Sequence, residues 1–525
     1  MRFFNTAGPV RPEDHYCLPP LTRFNLNEVL HLIGQRKYFV LHAPRQTGKT
    51  TCLFALMDEL NRGGKYRCLY CNVEMAQAAR ENIHEGIRTI MGEIASQAHY
   101  VLSDDFLKEQ WRDVLEQSGP NRALNEMLAL WAKISDKPLI LLIDEIDSLV
   151  GDTLISVLRQ LRAGYSQRPA LFPQSVVLCG VRDVRDYRIH SDQDKAIITG
   201  GSAFNIKAES VRLRDFSHED VGTLYHQHTQ ETGQVFEEDV LDSVWELTSG
   251  QPWLVNALGY EVCFKMKAGQ DRSRPITADM VIEAKEQIIL RRETHIDQLV
   301  DKLAEARVRR VIEPMLAGLE KPDLIPTDDI LYVRDLGLIR TEGQLAIANG
   351  IYQEIIPREL TFSTQLTISH QPAWYIQPDG RLDLPKLLAA FQDFFRQHSQ
   401  SWLERFDYKE AGPQLLMQAF LQRIVNSGGR VEREYGLGRL RTDLLVVWPY
   451  PGGVQKTVIE LKIRYGELEK TIAAGLEQTW EYMDRCGTAE GHLVVFDRDE
   501  RKAWEEKLFT REEGYQGKKI KIWGM

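Results

Sequence analysis

The sequence lacks the features of membrane and secreted proteins. It has 525 residues, and no apolar run approaches the roughly 18 residues that a membrane-spanning helix needs. Residues 1–16 carry four charged side chains and two prolines without an apolar core, so we expect no secretory signal. These absences predict a cytoplasmic protein that makes no membrane contact.

Disulfide frameworks and zinc motifs are also missing. Seven cysteines, scattered along the chain, are an odd number and indicate a reducing compartment. Cys68 and Cys71 have CxxC spacing, but no second pair follows and both lie in an apparent strand. We therefore expect buried structural cysteines there, not zinc ligands. No HExxH pattern, internal repeat or low-complexity tract is present.

The chain has no excess of positive charge. Its net charge is -10, so any binding of nucleic acid must depend on a local patch. The charges nearly cancel after Lys386, and the acidic excess therefore lies before it. Hydrophobic residues make up 43% of the chain, as in soluble globular proteins. At about 150 residues per domain, the length suggests three or four domains.

The strongest local signal is a glycine-containing loop between a short apolar run, 38–41, and a helical segment, 52–60. In such a loop, backbone N–H groups cradle phosphates, Lys49 reaches the β- and γ-phosphates, and Thr50 binds Mg²⁺. The flanking strand and helix argue against a chance GKT in a surface loop. The predicted nucleotide-binding residues are Ala43, which replaces the usual first glycine, and Pro44, Arg45, Gln46, Thr47, Gly48, Lys49, Thr50 and Thr51.

Two carboxylates end a second apolar run, 138–143, which is typical of a central parallel strand covered on both faces. Asp144 is predicted to hold Mg²⁺, and Glu145 to polarise the attacking water as a general base. We interpret Asp147 as a helix N-cap. The absence of an NKxD guanine signal favours ATP over GTP.

A third apolar run, 175–181, leads to Arg182, a candidate sensor of the γ-phosphate. Arg185 and Arg188 are weaker candidates. A solvated loop charge is an equal alternative for each of the three.

These motifs resemble the P-loop ATPases of the AAA+ and STAND types, over about residues 1–360. The segment Gly250-Gln-Pro252 resembles the Gly-x-Pro element at which the helical lid of that class meets the nucleotide, although glycine and proline are also ordinary helix punctuation. The resemblance implies a nucleotide contact for Pro252 and suggests His15 and Tyr16 as residues of the adenine pocket.

Helical apolar spacing continues in 218–233 and 238–250, which predicts the lid. Two further helical segments, 307–318 and 328–336, precede a short hairpin, an order that resembles a winged helix. Arg307, Arg309 and Arg310 could face phosphate, but a solvated helix face is the favoured interpretation.

A polar segment with two prolines and a glycine precedes the C-terminal part of the chain, and the pattern of apolar and polar residues changes after it. We predict helices at 384–406, 414–425 and 467–483, and strands at 430–435, 442–448, 457–463, 491–496 and 519–523. Residues two apart in a strand share a face, so Glu460 and Lys462 point the same way, and hairpin pairing can bring Asp443 beside them.

This arrangement suits metal-assisted chemistry. Asp443 and Glu460 can bind Mg²⁺ or Mn²⁺ through oxygen ligands, and Lys462 can orient or deprotonate a water or balance charge. The alternative is an edge strand with alternating surface charge.

The element order and these residues resemble the PD-(D/E)XK nuclease superfamily, over about residues 386–525. Asp443 matches its Asp, although Arg441-Thr442 replaces the preceding proline, and Glu460-Leu461-Lys462 matches its (D/E)XK. Gln478 and Tyr482 match the QxxxY element of one branch, which implies supporting roles at the nuclease site. Glu410 is the candidate first-helix acid and metal ligand, with a helix-dipole role as its alternative. The predicted phosphate contacts are Arg433, Arg439 and Arg441.

The predicted fold is α/β: a P-loop NTPase core with a helical lid and winged helix, plus a C-terminal restriction-endonuclease-like α/β domain. The expected domains are a core at 1–210, a lid at 211–270, a winged-helix-like domain at 271–360, a linker at 361–385 and a nuclease-like domain at 386–525.

The expected function is an ATPase that regulates a fused Mg²⁺- or Mn²⁺-dependent nuclease acting on nucleic acid, with DNA as the expected substrate, in prokaryotic defence or mobile-element control. We expect a homo-oligomer, and the trigger stays open. The alternatives are an ATP-driven switch or scaffold that does not cleave, and a nucleic-acid-remodelling motor. A motor requires a trans arginine, for which Arg159, Arg162, Arg185 and Arg188 are candidates.

Overall fold

We describe a computed structural model of the chain. The structure describes residues 1–182, 188–191, 196–199, 207–291, 294–316, 325–342, 345–360, 375–403, 412–425, 429–435, 442–464, 466–497, 499 and 501–525. The chain divides into two compact units. The N-terminal unit comprises 1–291 with 335–337, and the C-terminal unit comprises 292–334 with 338–525.

The N-terminal unit is built on a five-stranded parallel sheet with the order β2-β3-β4-β1-β7. A short antiparallel hairpin, β5–β6, lies between β4 and β7 in the sequence. The strands are β1 Tyr38–His42, β2 Arg67–Asn72, β3 Leu139–Asp144, β4 Ser175–Gly180, β5 Arg188–Ser191, β6 Ala196–Thr199 and β7 Lys207–Arg212.

Helices connect and extend this sheet. The helices are α1 Leu26–Gly34, α2 Lys49–Arg62, α3 Ile83–Leu102, α4 Phe106–Ser118, α5 Ala123–Ile134, α6 Gly151–Ala163, α7 His218–Thr232, α8 Val240–Thr248, α9 Pro252–Tyr260, α10 Lys267–Gln270 and α11 Ala278–Arg291. Several helices begin at residues whose side chains accept a hydrogen bond from a backbone N–H of the first turn. Asn82 caps α3 in this way, and Ser217 and Asp220 form a capping box at α7.

Both faces of the N-terminal sheet are covered, which explains its continuous apolar strands. Leu139, Leu141 and Ile143 of β3 pack with α3, α5 and α6, whereas Ile140 and Leu142 pack with α1 and α2. Cys68 and Cys71 are fully buried in β2, as predicted for structural cysteines, and burial raises the pKa of both thiols.

The C-terminal unit begins with helices and a minimal hairpin, in which Ile339 pairs with Ile347. The elements are α12 Thr294–Leu303, α13 Ala306–Leu316, α14 Thr327–Asp335, β8 Ile339–Arg340, β9 Ala346–Ile347 and α15 Gly350–Leu360.

A second sheet follows, with six strands in the order β10-β11-β12-β13-β15-β14. The pairs β12–β13 and β13–β15 are parallel, and the other neighbours are antiparallel. The elements are α16 Leu384–Leu403, α17 Gly412–Val425, β10 Arg430–Tyr435, β11 Thr442–Tyr450, β12 Gly453–Ile463, α18 Leu468–Arg485, β13 Glu490–Phe496, α19 Trp504–Lys507, β14 Phe509–Tyr515 and β15 Lys518–Gly524.

The described end of the predicted linker is packed against the second sheet. Tyr375 and Leu382 are buried in the same cluster as α16 and α17. Gly380 O accepts from Trp448 Nε1 at 3.0 Å, and Gln455 bonds to both backbone groups of Leu382. Residues 375–385 therefore fold with the C-terminal unit, because their apolar side chains cover its sheet.

Within the part of the chain that the structure describes, we find no helix long and apolar enough to cross a membrane.

Candidate nucleotide site and C-terminal carboxylate site

The loop 43–48 joins the carboxyl end of β1 to the first turn of α2. Lys49 is buried, and its Nζ donates to the carbonyl oxygens of Ala43 and Pro44, each at 3.1 Å. Gly48 has φ 85° at the N-terminus of α2, a left-handed conformation that glycine adopts without strain. This geometry directs a lysine and a helix N-terminus to one place, as a phosphate site requires.

The expected magnesium ligands are adjacent. Thr50 Oγ1 donates to Asp144 Oδ2 at 2.7 Å, and Asp144 is fully buried at the end of β3. The Glu145 N–H donates to Asp144 Oδ1 at 2.9 Å and fixes the carboxylate orientation. Two hard oxygen donors in contact fit Mg²⁺ held between the loop and β3.

Tyr70 is a residue of this site that the sequence did not reveal. Its hydroxyl donates to Asp144 Oδ2 at 3.0 Å, and burial next to the carboxylate raises its pKa. The parallel pairing of β2 with β3 brings the two residues together. A tyrosine in an apolar strand carries no sequence signal for this role.

Glu145 lies just beyond β3 with φ 55°, a left-handed conformation that is uncommon for glutamate. Burial raises the pKa of its carboxyl group, and the nearby Lys49 ammonium opposes that shift. A raised pKa suits a general base. Asp147 lies inside a short 3₁₀ turn, Ile146–Ser148, and α6 begins later with Val150 at its N-cap, so the predicted N-cap role is wrong.

Arg182 follows β4 at the carboxyl edge of the sheet, where β1 and β3 also end. It therefore lies on the edge expected of a γ-phosphate sensor. Arg185 lies outside the described residues, and only the backbone of Arg188 is described.

A pocket adjoins the phosphate loop within the N-terminal unit. Five residues that the sequence predicts as nucleotide contacts line this pocket: Gln46, Thr47, Gly48, Thr51 and Pro252. Tyr16 also lines it, as the resemblance suggests. His15 does not line it: its Nδ1 accepts the Arg11 N–H at 2.9 Å, so it has a local structural role.

The N-terminal segment, residues 2–17, forms one wall of this pocket, which the sequence did not reveal. Thr6 O accepts from Trp253 Nε1 at 2.9 Å, and Gln227 bonds to both backbone groups of Cys17. The Val10 N–H donates to Thr51 Oγ1 at 3.1 Å. The segment thus ties the helices α7 and α9 to the start of α2.

The C-terminal sheet brings Asp443 and Glu460 opposite each other in the register of β11 and β12. Glu460 is fully buried, and Lys462 Nζ lies 2.6 Å from its Oε1. The backbone of Asp443 is described, but its side chain is not. Directly opposite residues have Cβ atoms about 5 Å apart on one face, so the expected juxtaposition is present in the backbone.

The next helix covers the same face. Val458 packs with Tyr482 of α18, and period-two alternation puts Glu460 and Lys462 on the Val458 side of β12. Gln478 lies one helical turn before Tyr482, and its Oε1 is buried without a hydrogen-bond partner among the described residues. Both elements of the predicted QxxxY therefore share the helix that packs on this face.

Other predicted residues have different positions. Arg307 and Arg310 pair with Asp329 at 3.2 and 3.0 Å, so these two stabilise the packing of α13 on α14. Glu410, Arg439 and Arg441 lie outside the described residues, and the side chain of Arg433 is not described. Among the side chains that the structure does describe, no cluster of three or more His, Cys, Asp or Glu could hold a metal ion.

One known family matches part of the chain. Residues 33–187 match the family described as AAA domain. No curated protein matches the chain significantly.

Three of the solved structures that are similar to this chain are the following. The Walker-type ATPase of Pyrococcus abyssi has 16% identity and a TM-score of 0.40, with 67% of this chain and 99% of that chain covered. Cdc6p of Pyrobaculum aerophilum has 15% identity and a TM-score of 0.34, with 64% and 93% covered. Domain III of the Thermotoga maritima replication initiation protein DnaA has 14% identity and a TM-score of 0.32, with 53% and 98% covered.

The family match spans both motifs of the nucleotide site, from the loop before Lys49 to the two carboxylates at the carboxyl end of β3. Together with the lysine and magnesium-ligand geometry, it supports an AAA-type P-loop ATPase domain in residues 33–187.

Proposed function

We propose that this protein binds and hydrolyses ATP and thereby regulates its own C-terminal, metal-dependent nuclease, which acts on nucleic acid and in the first instance on DNA. A role in prokaryotic defence or mobile-element control fits two catalytic sets in one chain. The working form is a homo-oligomer of the STAND or AAA+ type, with a winged helix formed by α13, α14 and the β8–β9 hairpin.

The nuclease part of the proposal is carried by the register of β11 with β12. A shift of one residue would turn Asp443 to the other face of the sheet, away from Glu460 and Lys462. The observed pairing puts Asp443 directly opposite Glu460. This supports one site made of the three residues, with α18 behind it.

In the ATPase site, Lys49 would exchange its two carbonyl partners for the β- and γ-phosphate oxygens. Thr50 and Asp144 would hold Mg²⁺, which neutralises phosphate charge when bound. Glu145 would hold the attacking water and accept its proton, because its raised pKa favours protonation. Arg182, on the same edge, would report the loss of the γ-phosphate.

In the nuclease site, Asp443 and Glu460 would hold Mg²⁺ or Mn²⁺, with Glu410 as a third candidate ligand. The ion would supply an activated water and charge stabilisation at the scissile phosphate. Lys462 would leave Glu460 and orient that water or offset charge on the phosphate. Gln478 would donate to a substrate oxygen or orient Lys462, and Tyr482 would brace the helix against the sheet.

Cleavage by a lysine variant tests the nuclease assignment. We expect purified protein with Mn²⁺ or Mg²⁺ to cut plasmid or single-stranded DNA, and Lys462→Ala to lower the rate at least about 100-fold. Lys456→Ala is a matched control, because Lys456 is an exposed lysine of the same strand and parity and should keep full activity. Equal background cleavage by wild type and Lys462→Ala on DNA and RNA would refute the assignment.

A second candidate, an ATP-driven switch or scaffold that does not cleave, gains support from one contact. Glu460 is fully buried against Lys462, and a buried carboxylate paired with lysine can be purely structural. In that case Lys462→Ala would strongly lower the melting temperature, and wild type would bind nucleic acid without cutting it.

A further inference from the structure

Two buried polar atoms that line the nucleotide pocket, Gln46 Oε1 on the phosphate loop and Asn256 Oδ1 on α9, have no hydrogen-bond partner among the residues that the structure describes. Asn256 Oδ1 is the one that lies away from the phosphate loop. Asn256 lies one turn into α9 after Pro252, lines the pocket and is 8% exposed. Its Oδ1 is buried and makes no hydrogen bond to any residue that the structure describes. A buried acceptor left unpaired costs free energy, so such an atom calls for a donor.

The orientation of this amide is fixed by its other end. Asn256 Nδ2 donates to the Pro252 carbonyl oxygen at 2.8 Å. If the amide were turned over, Oδ1 would face that carbonyl, and two acceptors would repel each other. The group that Asn256 offers to an occupant of the pocket is therefore an acceptor.

The surroundings of Asn256 suit a flat heterocycle. The pocket wall includes the apolar or aromatic side chains of Val10, Tyr16, Leu224 and Trp253. Gly48 of the phosphate loop lines the same pocket. A nucleotide with its phosphates on the loop can therefore place its base against this wall.

We propose that Asn256 Oδ1 accepts a hydrogen bond from the 6-amino group of adenine and so selects adenine over guanine. Guanine and hypoxanthine carry an oxo group at this position, which would face Oδ1 as a second acceptor. The proposal rests on the proposed binding of nucleotide at the P-loop. The ribose hydroxyls are the other donors that a nucleotide carries.

Nucleotide analogues separate these donors. For the full chain, we expect ATP to bind about tenfold or more tightly than inosine triphosphate, which lacks the amino group. The 2′-deoxy and 3′-deoxy forms of ATP should bind like ATP. In Asn256→Ala the preference for ATP over inosine triphosphate should fall to about twofold or less.

Asn125→Ala is the matched control, because the Asn125 amide bonds to Gln160 outside the pocket and its loss should leave the ratio unchanged. An unchanged ratio in a folded Asn256→Ala, or a wild type that binds inosine triphosphate as tightly as ATP, would overturn the proposal. The wild-type comparison stands even if the variant fails to fold. A loss confined to a deoxy analogue would assign Oδ1 to the ribose and also overturn it. Failure of wild type to bind any nucleotide would refute the proposed ATP site itself.

Discussion

At the scale of single residues, two neighbouring carboxylates of the candidate nucleotide site suit different roles, one as a metal ligand and the other as a general base. Asp144 is fixed by Thr50, Tyr70 and a backbone N–H, and suits a metal ligand. Glu145 is half-buried in a left-handed conformation, with a raised pKa caused mainly by burial. The different surroundings of these adjacent carboxylates fit the two different roles that we propose for them.

The raised pKa of Glu145 leads to a prediction about how the rate of ATP hydrolysis depends on pH. A general base acts when deprotonated, so ATP hydrolysis should fall as the pH drops through the pKa of Glu145, which lies above the ordinary value of 4.5. Glu145→Gln should lower kcat about 10²- to 10⁴-fold and retain ATP binding. Steady-state rates from pH 4 to 9, roughly the range over which such a group titrates, would show the acid limb.

The exposed Glu109→Gln, on α4, serves as the control and should leave the rate and the profile unchanged. Hydrolysis at the wild-type rate by Glu145→Gln would show that another group activates the water.

The residues that we propose to bind phosphate and metal can be identified from the sequence, because their spacing is local. Lys49, Thr50, Asp144 and Glu145 lie in two contiguous motifs. Tyr70, Asn256 and the N-terminal wall reach the site only through tertiary packing. Their roles depend on strand pairing and on where α9 lies, which no local pattern encodes.

At the scale of elements, apolar periodicity predicts most strands of the C-terminal sheet, including the edge strand β10, but not the other edge strand, β14. The strands β10, β11 and β12 were expected within a few residues of their observed bounds. The strand β14, Phe509–Tyr515, is not predicted, because none of its residues is buried and charged residues separate its two aromatic side chains. No apolar face therefore marks this strand in the sequence.

The glycine at the junction of α8 and α9 leads to a prediction about the stability of the N-terminal unit. Gly250 has φ 76°, and a Cβ there would lie 2.0 Å from the Phe216 carbonyl oxygen. Gly250→Ala combines left-handed strain with a backbone clash, so we expect a loss of about 3 kcal/mol or more in the N-terminal unit and weaker ATP binding.

Gly233→Ala is the matched control for this change. Gly233 also has φ 76°, at the end of α7, but a Cβ there would meet no atom within 4 Å. It should cost only about 1 kcal/mol. Thermal melting of both variants compares the two, and equal losses would show that the Phe216 contact does not matter.

At the scale of the whole molecule, the uneven charge fits a division of labour. The net charge of -10 lies almost wholly before Lys386, and the sheet that carries Asp443 and Glu460 belongs to the nearly neutral remainder. An acidic ATPase part and a neutral C-terminal part suit a chain in which the second one meets phosphate. Composition averaged over the chain conceals this difference.

We propose that the nucleotide state controls cleavage, and a plasmid-cleavage assay in different nucleotide states tests this proposal. Plasmid cleavage should be followed in Mn²⁺ with no nucleotide, with ATP and with a non-hydrolysable ATP analogue. For wild type, we expect a cleavage rate that differs at least about tenfold between nucleotide states, as a population shift of about 1.4 kcal/mol would give. In Lys49→Ala, the cleavage rate should no longer depend on nucleotide. In Lys462→Ala, cleavage itself should be lost. Robust cleavage by wild type at one rate in all three states, unchanged by Lys49→Ala, would show that the nucleotide state does not control cleavage.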